Sequence, residues 1–310
     1  MSQHQDQPQY DSRAALIRFH SAILGVERGF YIFLPPEYAT GQQRFPALYL
    51  LRGHEREWVN PHEDGVRGGT TIIDVYERLR NAGRIGPMIL VMPGLASDDN
   101  HIPSMLTDFR APELADGKSG IGSGRFEQFF VTELLPKIDR DYRTIPDARA
   151  IAGFSLGGMM AVKVATSYPQ FFVSVGAYDG TFLYTTDAGR RVRASDGILE
   201  NPMFDPALGV PRDMDFITAN SAINRMIRAD PAQIRRLAWF IQYGPEAIEP
   251  WGSNFYRGEH LLRALSYRSV HNRLTPPVMV DGDHSWRTAD RHIEQTLPLH
   301  WAALQGELNV

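Results

Sequence analysis

The stretch Gly153-Phe-Ser-Leu-Gly-Gly158 limits the possible folds more than any other part of the sequence. It fits the pattern G-x-S-x-G, in which a serine occupies a sharp turn between a strand and a helix. The residues before it, 148–152, are small and mostly apolar, and small residues after it allow a helix to begin directly behind the serine. The flanking glycines leave room where a Cβ would collide across the turn. The stretch therefore predicts that Ser155 is a nucleophile at the carboxyl end of a buried strand.

Short apolar runs alternate with helical patterns along most of the chain. The predicted strands are residues 14–19, 29–34, 45–51, 88–92, 148–152, 171–177, 237–243 and 277–280, and the predicted helices are residues 71–82, 126–138, 157–167, 260–267 and about 291–304. This alternation predicts an α/β fold with a mainly parallel sheet and helices on both faces. Together with the serine turn, it predicts the α/β-hydrolase fold.

The polar first residues and one internal segment depart from this pattern. Residues 1–13 are predicted to be a disordered tail, and residues 14–310 a single domain. Residues 180–236, which are rich in Arg, Asp, Pro and Asn, are predicted to be an insertion near the site. The chain has no cysteine, which excludes disulfides, zinc-thiolate sites and a cysteine nucleophile.

Charge and hydropathy bear on the partners. The formal net charge of −4 gives no reason to expect a nucleic acid as partner. No apolar run approaches the roughly 18 residues of a membrane helix, and no signal peptide is recognisable, so no membrane partner and a cytoplasmic location are expected. No H-E-x-x-H pattern occurs, so no metal site is expected. The sequence leaves the oligomeric state open, a homodimer included.

One histidine has the position that a general base requires. In this fold the catalytic residues follow the chain order serine, acid, histidine. His284 lies in Asp281-Gly-Asp-His-Ser-Trp286, directly after the last predicted strand, whereas the other histidines after Ser155 fall in or behind helical patterns. His284 is therefore predicted to take the proton of Ser155 and to pass it to the leaving group.

The carboxylate that orients His284 is harder to place. Glu246 and Glu249 both follow the predicted strand 237–243, while Asp179, which follows the preceding strand, is a more distant third candidate. Glu249 is the favoured choice and Glu246 the alternative.

The remaining site residues would bind the substrate. The backbone N–H of Leu156, directly after the serine, and that of His54, in the loop after strand 45–51, are the expected oxyanion hole. Arg52, Trp58, Trp251 and Trp286 are the expected substrate contacts.

Five separate segments resemble the putative esterase family, which groups esterase D, feruloyl esterases, enterochelin esterases and the antigen-85 mycolyltransferases. They are Tyr31-Ile-Phe-Leu-Pro-Pro-Glu-Tyr38, Phe45-Pro-Ala-Leu-Tyr-Leu-Leu-Arg-Gly53 with Trp58, residues 126–143 ending in Leu135-Pro-Lys-Ile-Asp-Arg-Asp-Tyr-Arg143, Ala150-Ile-Ala-Gly-Phe-Ser-Leu-Gly-Gly158 and Gly282-Asp-His-Ser-Trp286. The resemblance covers about residues 14–305.

The resemblance implies an α/β-hydrolase fold, no cofactor, and hydrolysis or transfer of acyl groups. By position it implies that Ser155 is the nucleophile, that His284 is the base and that the amides of His54 and Leu156 form the oxyanion hole. The spacing of Glu249 from Asn254 is similar to that in several members, which favours Glu249 as the acid. Two features differ from the family pattern: Arg52 replaces a common histidine, and the expected acid is a glutamate in a proline-containing loop.

The sequence therefore predicts a serine esterase that acts on a small-molecule carboxylic ester through an acyl-enzyme. Two alternatives stay open. One is an acyltransferase of the mycolyltransferase type that uses the same residues, and the other is a non-catalytic binding protein with the same fold.

Overall fold

The computed structural model describes residues 10–183, 185 and 197–308. These residues form a sheet of seven strands in the order β1-β2-β4-β3-β5-β6-β7. The strands are β1 (Ala15–His20), β2 (Glu27–Phe33), β3 (Phe45–Leu51), β4 (Ile89–Pro93), β5 (Thr144–Phe154), β6 (Ser174–Tyr178) and β7 (Ala238–Gln242).

The sheet is parallel everywhere except at one side. β1 pairs with β2 and β2 with β4 in antiparallel register, whereas β4, β3, β5, β6 and β7 are parallel to one another. The carboxyl ends of these five strands therefore meet at one edge of the sheet. Phe154 at the end of β5 is the register partner of Tyr178 at the end of β6, and Tyr178 is the partner of Gln242 at the end of β7.

Helices connect the strands and cover the sheet. The α-helices are α1 (Glu37–Thr40), α2 (Ile72–Asn81), α3 (Phe126–Gln128), α4 (Leu135–Asp141), α5 (Leu156–Ser167), α6 (Gly197–Glu200), α7 (Asp205–Leu208), α8 (Met214–Asn220), α9 (Ala222–Arg228), α10 (Pro231–Ile234), α11 (Phe255–Tyr267) and α12 (Trp286–Leu304). A π-helical stretch (Phe129–Leu134) joins α3 to α4, and short 3-10 turns occur at Glu57–Val59, Pro112–Ala115, Pro169–Phe171, Pro202–Phe204 and Glu246–Ile248.

Apolar side chains cover both faces of the sheet, because successive residues of a strand point to opposite sides. In β3, Ala47, Tyr49 and Leu51 belong to the core that contains α5, whereas Leu48 and Leu50 belong to the core that contains α2 and α12. All seven residues of β3 are buried. The mainly parallel sheet with helices on both faces confirms the predicted α/β class.

Several predicted elements differ from the structure. The helix predicted to start at residue 260 begins at Phe255, and the strand predicted to start at residue 148 begins at Thr144. Residues 277–280 do not form a sheet strand: only an isolated bridge joins Val278 to Tyr243. Pro276 and Pro277 have no N–H to donate, which prevents a regular ladder there. The last helix starts at Trp286 and not near residue 291, because the Ser285 side chain accepts a hydrogen bond from Thr288 N and caps it.

The predicted tail and insertion lie only partly within the described residues. Residues 10–13, assigned to the tail, pack on the fold: Asp11 N donates to Val59 O at 2.9 Å, and Arg13 forms an ion pair with Asp74 at 2.6 Å. The predicted insertion 180–236 contains α6 to α10, and its residues 184 and 186–196 lie outside the described residues.

Across the described ranges, no helix combines the length and the apolar character that a membrane span needs.

Candidate active site

Ser155 lies in a sharp turn at the carboxyl edge of the sheet. β5 ends at Phe154 and α5 begins at Leu156, and Ser155 between them has φ 57° and ψ −122°, a conformation that costs a non-glycine residue energy. The turn is tight enough to require glycine: a Cβ on Gly157 would lie 1.9 Å from Leu51 O, and one on Gly153 2.2 Å from the carbonyl carbon of Gly157. The tight turn therefore fixes the direction in which the Ser155 side chain leaves the backbone.

His284 contacts this hydroxyl. Its Nε2 lies 2.9 Å from Ser155 Oγ, within hydrogen-bond distance. The histidine is held from two sides: its backbone N donates to Gly252 O at 2.7 Å, and its ring packs on the ring of Phe154 with 4.9 Å between centroids. The loop between Met279 and Ser285 thus brings to Ser155 the histidine that the sequence predicted for it.

The carboxylate at the other ring nitrogen belongs to Asp179. Asp179 Oδ2 lies 2.5 Å from His284 Nδ1, and the residue is fully buried. Asp179 Oδ1 accepts hydrogen bonds of 2.9 Å from the backbone N–H groups of Gly244 and Asn254. Asp179 itself has φ 44°, so both Ser155 and the acid occupy backbone conformations that are uncommon outside glycine.

The expectation that Glu249 or Glu246 orients His284 is wrong in this structure. Glu249 Oε1 accepts a hydrogen bond from Tyr256 N at 3.1 Å, and Glu246 accepts one from the Tyr256 hydroxyl. The reason lies in the sheet register. Asp179 directly follows the strand next to β5, so it comes to the same level of the edge as Ser155. The glutamates follow β7, one strand farther away.

The two amides expected to form an oxyanion hole have different surroundings. Leu156 is the first residue of α5, so its N–H has no acceptor within the helix and forms part of the positive end of the helix dipole. The N–H of His54, in contrast, donates to Glu57 Oε1 at 2.6 Å. The assignment of the His54 amide as an open oxyanion donor is therefore wrong in this structure.

The residues expected to contact substrate fall into two groups. Trp58 and Trp286 are buried and meet edge to face at 4.9 Å, and Trp286 also packs on Phe154 at 5.3 Å. They form part of the wall behind the site. Arg52 lies on the same wall, with its guanidinium carbon 5.3 Å from the centre of the Phe154 ring. Trp251, which is 92% exposed, lies on the loop after β7 and outside this wall.

Within the described part of the chain, no group of three or more His, Asp or Glu side chains is arranged to hold a metal ion.

Sequence comparison places the chain in a known family. The family model described as "Putative esterase" matches residues 21–288, which is most of the chain. The chain belongs to this family. An esterase of Mycobacterium tuberculosis (strain H37Rv) is 30% identical over 191 residues, which are 59% of this chain and 36% of the relative. The chain thus spans little more than a third of that relative's length.

Solved structures confirm the fold of this family member as an α/β-hydrolase fold. A ferulic acid esterase superposes with a TM-score of 0.67 and 24% identity, covering 94% of this chain and 98% of the other. An S-formylglutathione hydrolase from Agrobacterium tumefaciens superposes with a TM-score of 0.66 and 16% identity, covering 96% and 99%.

Proposed function

We propose that this esterase-family protein hydrolyses carboxylic esters, with Ser155 as nucleophile, His284 as general base and Asp179 as the acid that orients the histidine. The observation that supports this proposal is the continuous chain of contacts from Ser155 Oγ to His284 Nε2 at 2.9 Å and from His284 Nδ1 to Asp179 at 2.5 Å. The arrangement fits the geometric roles of a Ser-His-Asp triad, whatever the positions along the chain.

In the proposed reaction, Ser155 Oγ attacks the ester carbonyl while His284 Nε2 takes its proton. The negative charge that develops on the carbonyl oxygen is stabilised by the N–H of Leu156 and by the positive end of α5. His284 then gives the proton to the leaving alcohol, which leaves an acyl group on Ser155. Water, deprotonated by His284, releases the acid and restores the serine.

Asp179 has a defined part in these steps. Its carboxylate holds the proton of His284 on Nδ1, so that Nε2 can accept the proton of Ser155. The two backbone N–H groups from Gly244 and Asn254 fix the carboxylate, so the imidazole need not reorganise during the reaction. The proposed substrate is a small-molecule ester, in keeping with the name of the ferulic acid esterase that the chain resembles in fold.

Hydrolysis of 4-nitrophenyl esters from acetate to decanoate tests the proposal. The wild-type protein should release nitrophenolate, and Ser155→Ala should lower kcat by a factor on the order of 10⁴ or more. Ser266→Ala, which removes an exposed hydroxyl from α11, is the matched control and should behave as wild type. A Ser155→Ala variant as active as the control would contradict the proposal.

The same assay separates hydrolysis from acyl transfer. With glycerol added, hydrolysis releases the free acid, whereas a transferase would form a glycerol ester. We expect the free acid as the main product.

A further inference from the structure

We propose that Arg52 binds a carboxylate carried by the ester substrate itself, so that the protein selects anionic esters. This inference rests on the proposed function, because it assigns a substrate class to the same site. The basis is an arginine beside Ser155 and His284 whose terminal nitrogens donate no hydrogen bond to a described residue.

Arg52 lies next to the reacting groups. It directly follows β3, which pairs with β5 in parallel register, and Leu51 is the register partner of Gly153. One aromatic ring connects it to the site: the Phe154 ring contacts the His284 ring at 4.9 Å and the Arg52 guanidinium carbon at 5.3 Å. A group held by Arg52 would therefore belong to a molecule that also reaches Ser155.

The hydrogen-bond donors of Arg52 are largely unused. Its Nε is buried and lies 3.4 Å from Glu57 Oε2 without forming a hydrogen bond. Its two Nη nitrogens donate no hydrogen bond within the described ranges, and they are not among the buried unpartnered atoms, so they remain accessible. Arg67, in the same wall, uses Nε and both Nη nitrogens for hydrogen bonds.

Arg52 is nevertheless held in place. Its side chain is only 20% exposed, and the guanidinium lies over the rings of Phe154 and Trp286. Glu57 faces its Nε edge, and Glu57 is itself fixed by the N–H of His54 at 2.6 Å. An arginine ordered in this way loses little freedom when a ligand binds.

The open edge of the guanidinium matches a carboxylate. A guanidinium has two edges that can each form paired N–H···O bonds, and Glu57 lies 3.4 Å from Nε, which belongs to one of them. The edge formed by the two Nη nitrogens can bind both oxygens of a carboxylate at once. Because the aromatic wall excludes water from one side of the cation, a bound anion would be screened less than at an open surface.

The experiment compares charged and neutral esters of the same shape. On the acyl side, 4-nitrophenyl half-esters of the C4 to C8 dicarboxylic acids are compared with the same 4-nitrophenyl esters in which the free carboxylate is methylated. On the alcohol side, 4-acetoxybenzoate is compared with its methyl ester. We expect wild-type kcat/KM to be at least about tenfold higher for the anionic ester on one of the two sides, after subtraction of spontaneous hydrolysis.

Substitutions assign that preference to Arg52. In Arg52→Gln the ratio of kcat/KM for the anionic and the neutral ester should fall towards one. Arg52→Lys should give an intermediate ratio, because lysine keeps the charge but cannot form the paired hydrogen bonds of a guanidinium. Arg56→Gln removes the same charge from the same loop and should keep the wild-type ratio. Each ratio is measured on one enzyme preparation, so a loss of folded protein cancels.

Three outcomes would overturn the inference. Wild-type ratios near one on both sides, with neutral esters cleaved normally, would reject it and leave the proposed function standing. An equal fall of the ratio in Arg52→Gln and Arg56→Gln would assign the preference to the net charge of the loop. Absence of turnover with every ester would reject the proposed function, and this inference with it.

Discussion

Asp179 is surrounded by donors in a position closed to solvent. It accepts hydrogen bonds from Gly244 N and Asn254 N, and it faces Nδ1 of His284. These contacts leave its carboxylate one orientation, with Oδ2 towards the imidazole. The exposed Glu246 and the partly buried Glu249 are instead bonded to Tyr256.

Substitution of Asp179 by Asn should therefore impair catalysis much more than substitution of Glu249 by Gln. Asparagine keeps the shape but can present an NH₂ group to His284 Nδ1, which favours the wrong tautomer. We expect Asp179→Asn to lower kcat on 4-nitrophenyl acetate by about 10³ to 10⁴. A larger loss in Glu249→Gln than in Asp179→Asn would restore the glutamate as the acid.

Of the proposed triad, Ser155 and His284 could be predicted from the sequence, and Asp179 could not. Ser155 has a local motif, and His284 lies in a loop that chain order selects. The acid has neither signal, because any strand near the serine could supply it. Its position depends on the register between Phe154 and Tyr178, and this pairing becomes visible only in the assembled sheet.

At the scale of single elements, α12 carries two histidines that are fully buried against the sheet. His292 Nδ1 lies 2.8 Å from Gln242 Oε1, and His300 Nδ1 lies 2.7 Å from Ser174 Oγ. Burial lowers the pKa of each to about 3, because the charged imidazolium would lose its hydration. Both rings therefore stay neutral in the folded protein well below neutral pH.

This burial makes folding sensitive to acid. In the unfolded chain the pKa of His292 returns to about 6.5, so below that pH the unfolded chain binds a proton that the folded protein does not. The free energy of unfolding should therefore fall between pH 7 and pH 5, by about 2 kcal/mol for His292 alone. Urea unfolding should show a fall about 2 kcal/mol smaller in His292→Gln than in wild type. Equal falls in the two proteins would contradict this account.

Elements with a regular apolar pattern could be predicted closely, and the exceptions have local causes. β3 has the predicted bounds, residues 45–51, since its buried run is uninterrupted. The strand predicted at residues 277–280 is wrong because the prediction followed the apolar pattern and gave too little weight to Pro276 and Pro277, which lack the N–H groups of a regular ladder. The start of α12 depends on a cap made by Ser285, which the periodic pattern of the later turns does not reveal.

At the scale of the whole molecule, a buried arginine connects the loop after β3 to α12. Arg67 donates hydrogen bonds to both carboxylate oxygens of Asp290, at 2.8 and 2.9 Å. It also donates to the backbone carbonyls of Glu57, Trp58 and Asn60. Its guanidinium carbon also lies 4.6 Å from the centre of the Trp286 ring. Arg67 thus holds together two segments that flank the site, more than 200 residues apart in sequence.

Arg67→Met should lower the free energy of unfolding by about 3 to 5 kcal/mol, because it leaves the Asp290 carboxylate buried and unpaired. The ion pair of Arg78 with Glu294 joins α2 to α12, but its two side chains are 51% and 39% exposed. Arg78→Met is therefore the matched control and should cost about 0 to 1 kcal/mol in urea unfolding. Similar losses in the two variants would refute the role given to Arg67.

The general architecture could be predicted from alternation, but the contacts across it could not. Alternating strands and helices were enough to predict a mainly parallel sheet. The pairing of Arg67 with Asp290 leaves no local pattern, since each residue alone resembles a surface charge. The hydrogen bond from the His54 amide to Glu57 likewise forms only in the folded loop, and no sequence pattern reveals it.

Covalent labelling with a fluorophosphonate, followed by peptide mass spectrometry, tests whether Ser155 is the nucleophile. A serine activated by His284 and Asp179 should form one adduct, on the peptide that contains Ser155, and His284→Ala should slow the labelling strongly. No adduct, or an adduct on another serine with Ser155 unmodified, would contradict the proposed catalytic site.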